Sequence, residues 1–155
     1  ACGTISVNRA RPIGFAPQQP WIFNATCREN ILFGAPFNAR RYAQTLNCCD
    51  LESDFALLGS GDRTRVGEKG IALSGGQKQR LSLARAIYRR HECEAYLLDD
   101  PYSALDVHVA QMVHERVVCG LLKDKTRVVV TNRLEFAGSC DFVVLLEKGR
   151  IQHQG

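Results

Sequence analysis

The chain has 155 residues, of which 45% are hydrophobic and 23% charged, and its formal net charge is +4. This composition is typical of one globular domain and excludes a disordered chain. The longest clean apolar run, Phe142 to Leu146, is far shorter than the roughly 20 residues of a membrane span, so the chain by itself should not cross a bilayer. Its two Arg-Arg pairs belong to no longer basic run, and we expect no nucleic-acid partner.

The seven cysteines are irregularly spaced and form no Cys-x-x-Cys pair. An odd number without such pairs argues against a disulfide framework and against a zinc site. We therefore expect buried or half-buried free thiols in a reducing cytosol.

The first predicted elements are a strand and a short helix. Ile13 to Ala16 is an apolar run that ends at a proline, which predicts a buried strand. Thr26 to Glu29 has the pattern of a capping box, which predicts a helix from Thr26 to Phe33 with Gly34 as its C-cap.

Helical patterns continue through the middle of the chain. Asn38 is expected to cap a helix through Leu46, and Asp50 another through Leu57. Gly67 to Gly70 is predicted to be a loop, and a long amphipathic helix should follow residue 74. Because residues 21–90 contain no clear strand signal, we expect a helical lobe inserted into a sheet domain.

The last third of the chain alternates strand and helix signals. These are a strand at Tyr96–Leu98, a helix at Val107–Val118, and strands at Arg127–Thr131, Phe142–Leu146 and Arg150–Gln154. Apolar strands separated by helices predict an α/β domain with a largely parallel sheet.

The most specific motif is Leu73-Ser74-Gly75-Gly76-Gln77, which is expected by chance in about one in several thousand chains of this length. Two glycines at a helix start expose backbone N–H groups where the helix dipole attracts an anion, and Ser74 adds a hydroxyl donor. A capping box formed by Ser74 and Gln77 is the structural alternative. It does not explain the Gly-Gly pair, which costs about 1–2 kcal/mol relative to alanine.

A second motif, Tyr96-Leu97-Leu98-Asp99-Asp100-Pro101, begins 22 residues after Ser74. A carboxylate at the carboxyl end of a buried strand is where α/β nucleotide enzymes hold Mg²⁺. The alternative is an Asp-Asp-Pro turn after a strand, which would be preferred if the motif stood alone.

Together these motifs resemble the nucleotide-binding domain of ABC transporters, an α/β P-loop NTPase fold. The resemblance is closest to the first such domain of the C subfamily, the multidrug-resistance-associated transporters. The segments that carry it are Gly3–Gly14, Pro17–Gly34, Gly61–Gly70, Leu73–Arg90 and Asp99–Asp106. No GxxxxGK[ST] motif occurs, so we expect the Walker A phosphate loop to precede Ala1 and the chain alone to be inactive.

The resemblance implies ATP and Mg²⁺ as ligands. Asp99 matches the Walker B aspartate that holds Mg²⁺, and Gln18 matches the Q-loop glutamine that contacts Mg²⁺ and the attacking water. Asp100 stands where the family usually has a catalytic glutamate, and Asn132 where it has the switch histidine. The shorter carboxylate falls about 1.5 Å short of the water, and an amide carries no positive charge. We therefore expect slow hydrolysis at this domain's own site.

The resemblance further implies that the signature acts on a second nucleotide. Ser74, Gly75, Gly76 and Gln77 should bind the ATP held by the opposite nucleotide-binding domain, and Asp106, which ends the D-loop, is also expected at the nucleotide. The implied partners are that second domain and the transmembrane domains, which would place the chain at the cytoplasmic face of a membrane. Trp21 to Gly34 should lie near the transmembrane part.

The implied organisation is a partial nucleotide-binding domain over residues 1–155. Residues 1–20 and 91–155 would form the core, and residues 21–90 the helical subdomain. The function expected is an ATPase that couples to export of organic anions or conjugates. Two alternatives remain: a soluble ABC ATPase of DNA repair or translation, and a non-catalytic regulatory module. Only 56 residues separate Gln18 from Ser74, which leaves little room for the long insertions of repair members.

Overall fold

The fold is taken from a computed structural model of the chain that describes residues 11–68 and 71–155. Residues 3–10 of the first resembling segment, and the last two residues of the predicted 67–70 loop, lie outside the described residues. In chain order, the strands are β1 (Ile13–Ala16), β2 (Ala25–Thr26), β3 (Arg65–Val66), β4 (Ala95–Asp99), β5 (Thr126–Val130), β6 (Val144–Glu147) and β7 (Arg150–Gln154). The helices are α1 (Cys27–Leu32), α2 (Ala39–Cys48), α3 (Glu52–Ala56), α4 (Gly75–Tyr88) and α5 (Val107–Val113).

A parallel sheet in the order β1-β4-β5 forms the centre of the fold. Its strands pair in register, with Ala16 opposite Leu98 and Leu98 opposite Val129. One face is buried against α4, where Tyr96 lies so close to Gly14 that any side chain at Gly14 would collide with its ring. The predicted α/β fold with a largely parallel sheet is confirmed.

The other face of this sheet is apolar and exposed. The large side chains on it are Phe15, Leu97, Val128 and Val130, each between 42% and 58% exposed. Parallel sheets are normally covered on both faces, so this face is a surface available for packing.

The region 21–90 is mainly helical, as predicted, but the expectation that it lacks strands is wrong. Strands β2 and β3 pair antiparallel over two residues each. A ladder this short has no hydrophobic alternation that a sequence pattern could reveal.

Local capping signals were mostly correct in this lobe. Thr26 and Glu29 form the predicted capping box, and Asn38 caps α2 by accepting a hydrogen bond from Arg41 N. The C-cap of α1 is Phe33, in the left-handed region with φ 44°, rather than Gly34, which follows with φ 80°.

The prediction that Asp50 caps a helix is wrong. Helix α3 begins at Glu52 after Leu51, and no side chain caps it. Asp50 adopts φ 52° and its carboxylate lies 3.6 Å from Arg80. The Asp50 carboxylate therefore pairs with Arg80 of α4, although the local sequence predicted that it caps α3.

Helix α4 is the central packing element of the chain. Leu81, Ala84, Ile87 and Tyr88 are fully buried, as their spacing predicted. The Tyr88 hydroxyl accepts from Asn38 N at 2.8 Å and donates to a carbonyl at 2.7 Å. This hydroxyl ties the end of α4 to the start of α2.

The carboxyl-terminal third departs slightly from the predicted bounds. Helix α5 continues in wider π-helical turns from His114 to Leu121. The strand predicted at residues 142–146 lies at Val144–Glu147 and pairs with β7 in an exposed antiparallel hairpin. Among the described residues, no helix combines the length and apolarity that a membrane crossing requires.

The cysteines of the described residues are all free thiols. Cys27, Cys48, Cys49 and Cys93 are buried, as predicted, whereas Cys119 and Cys140 are exposed. Burial raises the pKa of the Cys27 thiol to about 11, so this thiol is protonated near neutral pH.

Candidate functional site

The carboxyl edge of the parallel sheet brings four predicted site residues to one side of the fold. Asp99 is the last residue of β4 and stands opposite Val130 in β5. Gln18 follows the end of β1 by two residues, and Asn132 follows the end of β5 by two. Because the strands are parallel and in register, their carboxyl ends meet at this edge, where open α/β sheets bind ligands.

Asp100 is held at this edge by its backbone. Its N–H donates to Val130 O at 2.8 Å, and its carbonyl accepts from Ser103 N at 3.2 Å and from Gln79 Nε2 at 3.4 Å. Its φ of 44° lies in the left-handed region, which is uncommon for a residue with a side chain. The chain therefore turns sharply after Asp99 and stays anchored to the sheet.

The Asp100 side chain has an unsatisfied group. Its Oδ1 atom is buried and accepts no hydrogen bond from any described residue. A buried carboxylate oxygen without a partner is costly in free energy, and such oxygens suit Mg²⁺ or a water bound beside it. The residues at this edge therefore fit the implied metal.

The protein side chains do not enclose a metal by themselves. Within residues 11–68 and 71–155, no group of three or more His, Cys, Asp or Glu side chains could hold a metal ion. Magnesium is usually bound through one or two carboxylates together with waters and substrate phosphates. An open site with the single carboxylate of Asp99 beside Gln18 is of that kind, whereas a closed metal cage is not.

Sequence reasoning missed Gln79 as a member of this site. It is 1% exposed, and its Oε1 is buried without a partner among the described residues. Its spacing from Leu83 places a polar side chain in the apolar stripe of α4. That irregularity was the available signal, because a buried amide needs polar partners.

The signature motif begins α4 with a complete capping box. Ser74 Oγ accepts from Gln77 N at 3.2 Å, and Gln77 Oε1 accepts from Ser74 N at 2.9 Å. The structural alternative for these two residues is therefore realised. The capping box does not involve the backbone N–H groups of Gly75 and Gly76. Neither of these two groups donates a hydrogen bond to any described residue.

The two glycines differ in what surrounds them. A Cβ atom at Gly76 would lie 3.0 Å from Ala104 O, so close packing explains this glycine. A Cβ atom at Gly75 would lie 3.6 Å from Ala104 Cβ, which is an ordinary contact. The fold therefore accounts for Gly76, but it gives no steric reason for glycine at position 75.

The predicted D-loop packs against the start of α4 through Ala104 and turns into α5. Asp106 is exposed and caps α5, because its side chain accepts from Val109 N at 3.0 Å. This hydrogen bond is the main reason that the pKa of Asp106 is lowered. The structure thus gives Asp106 a local capping role, and its predicted contact with nucleotide stays a prediction.

Two further residues that the sequence did not single out hold the D-loop in place. Arg133, which directly follows the predicted switch residue Asn132, donates from Nη2 to Leu105 O at 2.6 Å. The buried Tyr102 hydroxyl pairs with His114 Nδ1 at 2.8 Å, and His114 stacks on Phe136. His114 comes from the continuation of α5, and Arg133 and Phe136 follow β5, so no local pattern in the D-loop indicates them.

The predicted site residues therefore fall into two groups. Gln18, Asp99, Asp100 and Asn132 lie at the sheet edge, whereas the segment 74–77 lies beside the D-loop. Among the described residues, no hydrogen bond joins that segment to the four sheet-edge residues.

A parallel sheet with carboxylates at its carboxyl edge, beside a helix start with free amides, is typical of nucleotide-binding α/β domains. The profile of the family described as "ABC transporter" matches residues 4–103. The chain belongs to the ABC transporter family. The matched residues belong to the ATP-binding domain of that family, as the sequence motifs predicted.

Several similar proteins are members of the C subfamily or bear multidrug-resistance names. The chain is 48% identical to multidrug resistance protein mrp-7 of Caenorhabditis elegans over 155 residues, 99% of the chain and 10% of that protein. It is 47% identical to ATP-binding cassette sub-family C member 3 of Rattus norvegicus, with the same coverage. It is 42% identical to ABC transporter C family member 9 of Arabidopsis thaliana over 99% of the chain and 10% of that protein. The chain thus spans about a tenth of these relatives.

Proposed function

We propose that this chain forms part of the first nucleotide-binding domain of a C-subfamily exporter, which couples ATP binding and hydrolysis to transport of organic anions or conjugates. Residues 11–20 and 91–155 contribute its core, and residues 21–90 its helical subdomain. The export substrate class rests on the resemblance to multidrug-resistance relatives.

The unpartnered amide of Gly75 carries this proposal. The capping box satisfies Ser74 and Gln77, and Gly76 packs against the D-loop. The exposed amide at position 75 is aligned with the positive end of a helix of 14 residues. Such a donor suits the terminal phosphate of an ATP held by the opposite nucleotide-binding domain.

The sheet edge is proposed to serve the domain's own nucleotide. Asp99 and Gln18 would hold Mg²⁺, which supplies positive charge that stabilises the phosphoryl group. The Asp100 carboxylate would orient a water, and Gln79 keeps the Asp100 backbone in position through its amide. Together these residues position the water and the metal.

Two substitutions favour slow chemistry at this edge. Asp100 is one methylene shorter than glutamate, and displacements near 1 Å can lower a rate by about 10²-fold. Asn132 donates a hydrogen bond but carries no charge toward the phosphate. These two substitutions favour a second candidate function. In it, the sheet-edge site of this domain holds ATP for regulation, and hydrolysis takes place at the site on the opposite domain, which the signature completes.

An aromatic surface is the proposed contact with the transmembrane part. Trp21 and Phe33 are 56% and 49% exposed and, with Phe23, surround the Arg85 guanidinium at 5.2 to 5.5 Å. Arg85 also donates to Asn30 O at 2.7 Å, which fixes it in place. A rigid apolar patch of this kind suits a partner helix at the cytoplasmic face of a membrane.

The test uses Gly75→Ala in the complete transporter, with ATP turnover as the readout. The fold tolerates this methyl group, and alanine favours the helix by about 0.5–1 kcal/mol. We expect stability to be kept while ATP turnover falls about tenfold or more, because the methyl group obstructs approach of a phosphate. Unchanged turnover in a normally folded Gly75→Ala protein would overturn the proposal.

A second variant, Asp100→Glu, separates the two candidate functions. The longer glutamate side chain should reach the attacking water. If the short Asp100 side chain limits the rate, ATP hydrolysis at this domain's own site should therefore rise. Photolabelling with an ATP analogue reports occupancy of the same site. Occupancy without any rise in hydrolysis would favour the regulatory role.

A further inference from the structure

A basic pocket lies away from both groups of candidate site residues. It has a volume of about 340 Å³ and is lined by Asn38, Arg40, Arg41, Gln44, Arg90 and His91. Three of these residues are arginines, and none of the six described lining residues carries a carboxylate. We propose that this pocket binds the dianion of a phosphate monoester.

The pocket is at the opposite end of β4 from Asp99. Arg90 and His91 precede the first residue of the strand, whereas Asp99 is the last residue of its five. A strand of this length spans roughly 13–16 Å. A phosphate bound here therefore does not occupy the nucleotide position proposed at the carboxyl edge.

The arginines are held in place without using all their donors. Arg90 Nη2 donates to Gln44 Oε1 at 2.5 Å, and the Arg41 guanidinium lies 5.3 Å from the Tyr88 ring centroid. Arg41 Nε and Arg90 Nη1 are buried and have no hydrogen-bond partner among the described residues. Fixed guanidinium groups with donors left over are preorganised for a planar or tetrahedral oxyanion.

Charge at the start of α2 runs against the helix dipole. Arg40 and Arg41 lie in the first turn of α2, which contains no acidic residue. Cations at a helix amino terminus are unfavourable, whereas an anion there is stabilised. A bound dianion would place negative charge at this helix start and offset the unfavourable charges of the two arginines.

The titration of His91 reports the same excess of positive charge. Its pKa is lowered by desolvation, followed by the charges of Arg90, Arg41 and Lys125. The pKa of Arg90 is lowered by burial and then by Arg41. Like charges face one another here, and an oxyanion would relieve their repulsion.

The pocket is larger than a bare ion requires. The volume falls at the lower end of small-molecule sites, so a phosphate and a short attached group can enter together. The phosphate could belong to a small soluble ester or to a phosphorylated side chain. Both present the same dianion to the arginines.

The test titrates the 155-residue chain with inorganic phosphate, glycerol phosphate and a blocked phosphoserine peptide, by calorimetry at constant ionic strength. We expect saturable binding of at least one ester. A preference for glycerol phosphate or for the peptide identifies the source of the phosphate. If none of the three probes binds below about 10 mM, the proposal is wrong.

Variants connect the binding to this pocket. Arg41→Gln and Arg90→Gln should each weaken binding about tenfold or more, because each removes a charge-assisted donor. Arg40→Gln is an exposed alternative if either variant unfolds. Arg150→Gln removes the same charge from the exposed strand β7 and should change affinity less than about twofold. If the three pocket variants bind the phosphate probe no more weakly than Arg150→Gln does, the proposal is wrong.

A spectroscopic readout checks the location independently. The imidazole resonance of His91 should titrate at a higher pH when the phosphate probe is present, since the anion offsets the surrounding cations. His153, in β7, is the internal control and should not move. A shift of both histidines by the same amount would contradict a localised site.

Discussion

The segments Thr26–Glu29 and Ser74–Gln77 form the same capping box in different surroundings. In both segments, the side chain of the first residue accepts a hydrogen bond from the backbone N–H of the fourth. The side chain of the fourth residue accepts one from the backbone N–H of the first. The residue after the cap differs. Cys27 is fully buried and its N–H donates to Thr64 O at 3.0 Å, whereas Gly75 is exposed and its N–H has no partner among the described residues.

This difference shows that a local motif does not determine whether a helix start is structural or functional. Thr64, the residue before strand β3, approaches the first box and its carbonyl satisfies the spare amide. The D-loop approaches the second box from one side and leaves its spare amide open. Neighbouring backbone, brought in by tertiary packing, therefore separates an internal cap from a candidate phosphate site.

Each box is also supported by an aspartate and an arginine. Arg28 forms a bidentate pair with Asp62, at 2.7 and 3.1 Å. Arg80 pairs with Asp54, which also accepts from Gln77 Nε2 at 3.0 Å. At the second box, the ion pair thus helps to position the capping glutamine itself.

The largest expected effect is that of Asp54→Ala. It leaves Arg80, which is 12% exposed, with only the more distant Asp50, and should lower the free energy of unfolding by about 3 kcal/mol. Urea denaturation measures this. Asp62→Ala is the matched control and should cost about 1–2 kcal/mol, since Arg28 is 32% exposed. A larger loss in Asp62→Ala would contradict the ranking of the two supports.

Gly76→Ala should have the next largest effect. The added methyl group meets Ala104 O at 3.0 Å, and relief of this contact requires movement of the D-loop. We expect a loss of about 1–3 kcal/mol by thermal or urea unfolding. Gly75→Ala serves as the control and should be neutral or slightly stabilising. Equal destabilisation by both changes would show that packing also explains Gly75.

Removal of either capping hydroxyl should have a smaller effect. Thr26→Ala and Ser74→Ala should each lower the free energy of unfolding by about 1 kcal/mol. In the complete transporter, only Ser74→Ala should also reduce ATP turnover beyond its effect on stability. If Thr26→Ala reduces turnover to the same degree, the two boxes do not differ in function.

The smallest expected effect is a difference in acid titration. Hydrogen bonds from the Thr26 backbone and then its side chain lower the pKa of Glu29 below its ordinary 4.5. The stabilisation by this carboxylate is present above the unfolded-state pKa and is lost as pH falls through the lowered folded-state pKa. Gln77 does not titrate, so the second box should persist.

Amide chemical shifts measured through this acid range test the difference. The Thr26 N–H should titrate with a midpoint below 4.5, and the Ser74 N–H should not follow it. In Glu29→Gln, the titration of Thr26 should disappear. A Thr26 titration that survives this substitution would assign the transition to another carboxylate.

Local chemistry made several parts of the fold predictable. Thr26 and Asn38 were predicted as caps, and capping was the structural alternative for Ser74, because a capping side chain accepts from a backbone N–H three residues further on. The failures involve distant partners. Asp50 pairs with Arg80 rather than capping α3, and β2 meets β3 across 39 residues. The candidate site follows the same rule, since the local motif after β4 predicted Asp99, whereas no local motif indicated Gln79 or Arg133.

The sequence alone determined the family, the parallel α/β order of the main elements and the positions of the motifs, because each depends on short-range patterns of apolar, glycine and acidic residues. Tertiary structure alone decided which amides and carboxylate oxygens stay unpartnered. Gly75 N, Asp100 Oδ1 and Arg90 Nη1 are open because the packing brings no complementary group among the described residues to them. Hydrogen bonding depends on distances in space, and those distances are set by elements far apart in the chain.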